Sequence, residues 1–325
     1  MTKRLLITGA NGFVGSHLTE TALKNGYEVF AAVRKNSDLS FLQNTKATLV
    51  YPDYSDQEKL TALLAENRIT HIAHVAGATK AKTENDYYKI NAQISVNLAH
   101  AALQANKDLS RFVFVSSLAA MGPSLDNAMI TEKSAQHPIT FYGISKQKAE
   151  EELNAIPALP LITLRPTAVY GPREKDLLLI IKMVKKSWEL YIGKAAQELS
   201  FIHVSDLCDA ILLGLQSDQN HETYLLSDGK NYDRYQFAAI VKNILNKKTL
   251  RLHIPAGLVK AGVIGMEKLF PRRNSILNKN KLQELTSGWP VSIGKAEKDL
   301  GFAPQYDLQK GLQQTIGWLQ QEKWL

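Results

Sequence analysis

Thr8-Gly9-Ala10-Asn11-Gly12-Phe13-Val14-Gly15 is the stretch that decides the fold. It joins an apolar, β-rich run, Arg4–Thr8, to a segment of helical periodicity, Phe13–Asn25, and so reads as the turn of a strand–turn–helix unit. Gly9 permits the tight bend, Gly12 lets a pyrophosphate approach the backbone, and Gly15 lets helix and strand pack closely, while N–H groups at the helix start attract phosphate charge. Asn11, Phe13 and Val14 lie inside the same loop and count with the glycines as expected dinucleotide contacts.

Outward from this loop, short apolar runs recur at Tyr27–Val33, Ala47–Tyr51, His71–Val75, Arg111–Ser116 and Leu161–Arg165. They alternate with helical stretches near Ser55–Asn67, Glu84–Asn106 and Phe141–Ile156. That alternation predicts an α/β fold, a doubly wound parallel sheet of Rossmann type with helices on both faces, occupying residues 1–170. Beyond Arg165 the rhythm changes to a Pro/Gly turn, Pro166 to Pro172, and helix candidates at Asp176–Lys186, Tyr235–Leu245, Leu258–Phe270, Asn278–Leu285 and Leu308–Trp318. Residues 171–325 are therefore expected to form a smaller, mostly helical substrate lobe, with segments such as 200–226, which hold the lone strand-like run Glu222–Leu226, returning to the first domain.

Composition narrows the class. A chain of 325 residues with 45% hydrophobic and 22% charged residues is expected to hold one or two globular domains, not a disordered, collagen-like or coiled-coil structure. The single cysteine, Cys208, forms no internal disulfide and no thiolate metal cluster, so no metal is expected and a cytoplasmic location fits. Met1 to Arg4 followed by Leu5-Leu6-Ile7 imitates a signal peptide, but the apolar run stops at Thr8-Gly9 with no cleavage site, so export is not expected. The longest apolar candidate, Ile254 to Phe270, is interrupted by Lys260, Glu267 and Lys268, so no integral membrane segment is expected, and peripheral contact stays open.

Charge invites a different reading, because 39 Lys+Arg against 31 Asp+Glu leave a net +8. The lysines scatter along the chain without aromatic interleaving, which favours a solvated basic surface on a protein handling small anionic molecules over a nucleic-acid partner. One cation has a more definite position. Arg34 follows the second strand, where an acidic residue would hold the ribose 2′-hydroxyl of NAD; with Lys35 it suits the 2′-phosphate of NADP instead. NADP(H) is thus expected in preference to NAD, the alternative being a solvated arginine at a strand end. Asp53, next to Tyr54 after the third strand, is placed either to accept from the adenine amino group or to serve as a turn residue. Ala76-Gly77 and Pro166, at the ends of later strands, complete the expected cofactor contacts.

Tyr142-Gly143-Ile144-Ser145-Lys146 puts a phenol and an ammonium one turn apart on one helical face. A nearby lysine cation and an oxidised nicotinamide would favour the phenolate and fit the tyrosine for acid–base work on an alcohol or carbonyl. Ser117, at the end of the fifth strand, would orient the same substrate oxygen.

With these motifs in order, the chain resembles the extended short-chain dehydrogenase/reductase family, also called the NAD-dependent epimerase/dehydratase family, over nearly its whole length. The resemblance also rests on Leu164-Arg165-Pro166-Thr167-Ala168-Val169-Tyr170-Gly171-Pro172, Phe201-Ile202-His203-Val204-Ser205-Asp206 and Asp299-Leu300-Gly301-Phe302-Ala303-Pro304. It implies that Ser117, Tyr142 and Lys146 are catalytic, that Lys146 also holds the nicotinamide ribose, and that the protein is a homodimer paired through the helices near Glu84–Asn106 and Phe141–Ile156. Sugar dehydratases of the family carry Asp-Glu after the catalytic Ser/Thr position, whereas Leu118-Ala119 stand here, so dehydration is not expected. Ala168 stands where nucleotide-sugar enzymes usually have asparagine, and the diphosphate-gripping arginine near Leu199 is missing.

The pattern comes nearest to the dihydroflavonol-reductase and 3β-hydroxysteroid-dehydrogenase branches. It implies an oxidoreductase acting on a modest-sized small-molecule substrate, with Met121, Leu177, Leu178, Ile254 and Leu258 as candidates for an apolar pocket or as plain core. The alternatives are an epimerase or reductase of a sugar or nucleotide sugar, in which Arg173 or Lys175 replaces the missing arginine, and a cofactor-binding regulator without turnover.

Overall fold

The computed structural model describes residues 3–125, 127–269 and 279–325. In its first half β1 (Arg4–Thr8), β2 (Glu28–Ala32), β3 (Thr48–Val50), β4 (His71–His74), β5 (Arg111–Val115) and β6 (Leu161–Pro166) alternate with α1 (Phe13–Lys24), α2 (Gln57–Glu66), α3 (Glu84–Tyr88), α4 (Ile94–Ala105) and α5 (Phe141–Asn154). There follow β7 (Ala168–Tyr170), α6 (Asp176–Lys185), β8 (Trp188–Ile192), β9 (Glu198–Leu199), β10 (Phe201–His203), α7 (Val204–Gln216) and β11 (Glu222–Leu226). The chain then runs through β12 (Tyr232–Asp233), α8 (Gln236–Ile244), β13 (Leu250–Ile254), α9 (Ala256–Leu269), α10 (Lys279–Thr286), α11 (Gly294–Leu300) and α12 (Leu308–Gln321).

Seven strands form one parallel sheet in the order β11-β6-β5-β4-β1-β2-β3. The period of two along each strand supplies a core on either side. Leu5 and Ile7 of β1 join Val113 and Val115 of β5 under α1 and α7, whereas Leu6, Phe112 and Phe114 point the other way and meet residues of α2, α4 and α5. A third core, with Tyr170, Phe201, Phe237, Val241, Leu312 and Ile316, fills the second half. Strand order reverses between β1 and β4, which opens a crevice at the carboxyl ends of these strands, where doubly wound sheets bind ligands.

Two features depart from the helical and strand patterns of the sequence. The helix expected over Glu84–Asn106 is broken by a π-helical turn, Lys89–Gln93, between α3 and α4. Outside the main sheet, the second half also builds two-stranded sheets, β7 with β10, β9 with β12 and β8 with β13. These strands are two to five residues long. The expected helix ends at Phe270 and Asn278 lie outside the described residues. No helix among the described residues is long and apolar enough to cross a membrane.

Candidate active site

The glycine loop closes on itself. Gly12 N–H donates to the Gly9 carbonyl at 2.9 Å, and a Cβ at Gly15 would sit 2.1 Å from that same oxygen, so only glycine lets α1 lie this close to the turn. Gly9 itself has φ +66°. Helix α1 starts at Gly12 with no side-chain cap and no acidic residue in its first turn, which leaves its N–H groups and positive dipole end to an anion. Asn11, Phe13 and Val14 are half-buried around this start. A dinucleotide pyrophosphate fits such a cradle.

The other expected cofactor residues end or follow strands β2, β3, β4 and β6. Arg34 is exposed just beyond β2 and its guanidinium meets no partner among the described residues, only its backbone bonding with Ser37. Asp53 turns its Oδ1 back to the Ser55 N–H at 3.0 Å and the Ser55 hydroxyl at 2.6 Å, the geometry of a turn residue, and these bonds hold its carboxyl below the usual range. Tyr54 is packed against the α2/α4 core, its burial pushes the phenol up, and its carbonyl accepts from Asn97. Ala76 N–H donates to Thr8 Oγ1 at 3.0 Å, which ties the end of β4 to the end of β1. Gly77 lies where an added Cβ would come within 3.2 Å of both Asn91 Oδ1 and Lys146 Nζ. Pro166 ends β6 and is buried.

The Ser117, Tyr142 and Lys146 side chains gather beside this crevice. Helix α5 is capped by Thr140, whose Oγ1 accepts from Gly143 N–H at 3.2 Å. A Cβ at Gly143 would lie 2.3 Å from the Ala119 carbonyl, so glycine here lets α5 press against the short 3₁₀ turn Leu118–Ala120 that Ser117 opens. Tyr142, the preceding residue, is thereby carried to Ser117. Burial pushes its phenol up to about 12, the Ser117 hydroxyl pulls in the opposite direction, and Glu284 and Tyr87 add to the rise.

Lys146 is 2% exposed, donates to the Val115 carbonyl at 2.9 Å, and sits 4.6 Å from the Phe114 ring centroid. Burial lowers it to about 8, and Glu150 raises it. The expected depression of the tyrosine by the lysine is absent from the protein alone, because the ammonium is turned to a carbonyl and a ring. The phenol of the protein alone therefore keeps its proton at physiological pH.

Three contributors escaped the sequence reading. Asn91, fully buried in the π turn, accepts from Ala78 N–H at 2.7 Å and donates to the Ala78 carbonyl and to Ser145 Oγ, so it clamps the loop after β4 to α5. π turns are favoured at functional sites, but nothing in a helical pattern announces one. Glu150 binds Arg165, Ser116 and Gln136 below Lys146. Its place one turn past Lys146, in Tyr142-x-x-x-Lys146-x-x-x-Glu150, was a legible signal. Thr167, 7% exposed after β6, has an Oγ1 without a hydrogen-bond partner among the described residues.

A model of the NAD-dependent epimerase/dehydratase family matches residues 5–227, which span the whole seven-stranded sheet. The chain belongs to this family. UDP-glucose 4-epimerase of Vibrio cholerae is 28% identical over 325 residues, 97% of this chain and 95% of that one. Ceramide reductase of Caulobacter vibrioides is also 28% identical, over 98% of this chain and 95% of that one. The crystal structure of the Thermotoga maritima UDP-glucose 4-epimerase with UDP-glucose superposes with a TM-score of 0.82 at 20% identity, covering 98% of this chain and 99% of that one, a likeness of fold.

Within the family fold, the cations considered for a diphosphate are already engaged. Arg173, in left-handed backbone at φ +74°, bonds Ser16 Oγ at 3.0 Å and Glu20 at 2.6 Å and lies 4.6 Å over the Phe41 ring. Lys175 lies 5.6 Å over Trp324. Of the apolar candidates, Met121 and Leu178 are core, Leu177 is half-buried beside it, and Ile254 and Leu258 are exposed.

Proposed function

We propose that this chain is an NADP(H)-preferring oxidoreductase that interconverts a secondary alcohol and a ketone or aldehyde on a small apolar substrate. The observation that carries the proposal is the half-buried Tyr142 phenol adjoining Ser117, with a buried lysine one turn further along α5. NADPH, when bound, supplies hydride to the carbonyl carbon. The Tyr142 hydroxyl gives its proton to the carbonyl oxygen in reduction and regains one from the alcohol in oxidation, while the Ser117 hydroxyl orients that oxygen. Lys146 supplies positive charge that steadies the phenolate left behind, and its three N–H donors suit the ribose of the cofactor.

The free Arg34 guanidinium supports a 2′-phosphate partner, and the glycine loop with the α1 N-terminus supports the pyrophosphate. In this reading Asp53 and Tyr54 border the adenine end, and Ala76, Gly77 and Pro166 border the ribose and nicotinamide. Residues 171–325 supply most of the substrate pocket. A homodimer through α4 and α5 is supported by the exposed Phe141 and Ile144 at the start of α5, and a cytoplasmic location by a lone, buried cysteine that needs no oxidising compartment.

Oxidation of NADPH against a panel of apolar ketones, aldehydes and UDP- or GDP-sugars tests the proposal. Turnover of apolar ketones is expected, with no tight diphosphate-dependent binding. Tight binding and epimerisation of a UDP-sugar would establish instead the second reading, a nucleotide-sugar epimerase.

A further inference from the structure

The two-stranded sheet of β8 and β13 is built inside out. Its strands run parallel and in register, Trp188 opposite Leu250, Leu190 opposite Leu252 and Ile192 opposite Ile254, so these side chains share one face. On that face Trp188, Leu190, Leu250, Leu252 and Ile254 are 39–55% exposed. The other face is polar and turned inward: Glu189, 3% exposed, is held by Thr249 and by Arg251 Nε at 3.0 Å, and Tyr191 stacks on His253. A sheet meant for water on one side shows the opposite arrangement, with apolar residues in and polar residues out.

The charge of the chain is gathered around this face. Residues 177–197 and 234–262 contain ten lysines and arginines; Arg234, Lys242 and Arg251 are engaged on the inward side, by backbone carbonyls and by Glu189, and six exposed lysines flank the two strands. Lys185 and Lys186 immediately precede β8, and Lys247 and Lys248 immediately precede β13. Because the strands are parallel, four exposed lysines stand at one end of the apolar strip. Lys194 and Lys260, both exposed, follow the other end.

We propose that this face docks on an anionic lipid bilayer. The structure offers what an interfacial site needs: aliphatic side chains and a tryptophan to enter the headgroup boundary, and lysines around them to meet anionic lipid. A second copy of this chain is disfavoured as occupant because the lysine collars would face one another, and nucleic acid because, Trp188 apart, the strip between the lysines is aliphatic. α9, which follows β13, packs against α10, and α10 carries the Glu284 whose charge reaches Tyr142. The proposal does not depend on the reaction proposed above.

The test is co-sedimentation of the full chain with extruded vesicles of phosphatidylcholine alone or with about 30 mol% phosphatidylglycerol, at ~0.1 M and ~1 M salt. Sedimentation only with the anionic vesicles, reversed at high salt, is expected. Joint replacement Lys247→Ala and Lys248→Ala should weaken partitioning about thirtyfold. Joint replacement Leu250→Ser and Leu252→Ser should weaken it at least about tenfold. Trp188 emission should shift to the blue with anionic vesicles, a shift missing in Trp188→Phe, and this readout stands even if the serine variant fails to fold. Protein left in the supernatant, binding indifferent to the lysine pair, an unshifted Trp188, or a dimer split by Leu252→Asp with vesicles ignored would each overturn the proposal.

Discussion

Arg165 holds both oxygens of the Glu150 carboxylate, with Nε 2.9 Å from Oε1 and Nη2 2.5 Å from Oε2, and both side chains are buried. The pair joins β6 to α5 one turn beyond Lys146, and the Glu150 charge is what raises the proton affinity of that lysine against its burial. Glu150→Gln keeps the shape and removes the charge. Lys146, at about 8 in the parent, should then lose its proton at lower pH, and the alkaline limb of the kcat profile should move down with it. The uncompensated Arg165 should lower stability by about 3–5 kcal/mol in denaturant titration. An unmoved alkaline limb would show that Glu150 serves only the fold.

Tyr142→Phe removes the proposed proton donor and leaves the ring packing in place. A fall in kcat of about a hundredfold to ten-thousandfold is expected, with NADPH affinity by fluorescence titration unchanged. Turnover near the parent rate would refute the assignment.

Arg34 has no competing partner among the described residues, so its replacement should cost only cofactor binding. Arg34→Ala should lower kcat/KM for NADPH roughly tenfold to a hundredfold, the worth of one charge-assisted bond, and leave NADH nearly untouched. Equal losses with both cofactors would remove the 2′-phosphate from its proposed partner.

The sheet was legible because buried parallel strands are continuous apolar runs and the glycine loop has a fixed place after the first of them. Arg4–Thr8, His71–His74 and Arg111–Val115 fall within one or two residues of their patterns. The tyrosine and lysine of α5 were legible because a four-residue spacing fixes a helical face. What stayed hidden depends on tertiary contact. Asn91 acquires its position from a π turn, and Arg165 reads as an interruption in an apolar strand until Glu150 is seen against it. The lysines looked scattered because Lys185-Lys186 and Lys247-Lys248 are distant in sequence and become neighbours only through the pairing of β8 with β13.

Buried histidines set the acid limit of stability. His74 is held by Thr8 Oγ1 at 2.7 Å and Ser95 Oγ at 2.8 Å, and burial, then Lys146, lowers it to about 3; burial lowers His71 and His203 to about 4. The unfolded chain binds protons at these sites from pH ~6.5 downward while the folded chain does not. Their contribution is therefore complete above ~6.5 and lost as pH falls toward 4. The thermal midpoint should drop across this window, less steeply in His203→Gln than in the parent. A variant that reproduces the parental slope would exclude His203 as a source of it.

Thr167 separates stability from binding. Its Oγ1 is buried without a partner among the described residues, while its N–H is satisfied by the Leu226 carbonyl, so the hydroxyl alone lacks a role in the fold. An unsatisfied buried hydroxyl costs about 1–3 kcal/mol, and Thr167→Val replaces it with a methyl at nearly the same volume. The isolated variant should be as stable as the parent or slightly more so. If the hydroxyl is held for a ligand at the carboxyl end of β6, beside Pro166, the same variant should bind cofactor or substrate about tenfold more weakly. Higher stability with weaker binding places Thr167 in the site; lower stability with unchanged binding makes it part of the fold alone.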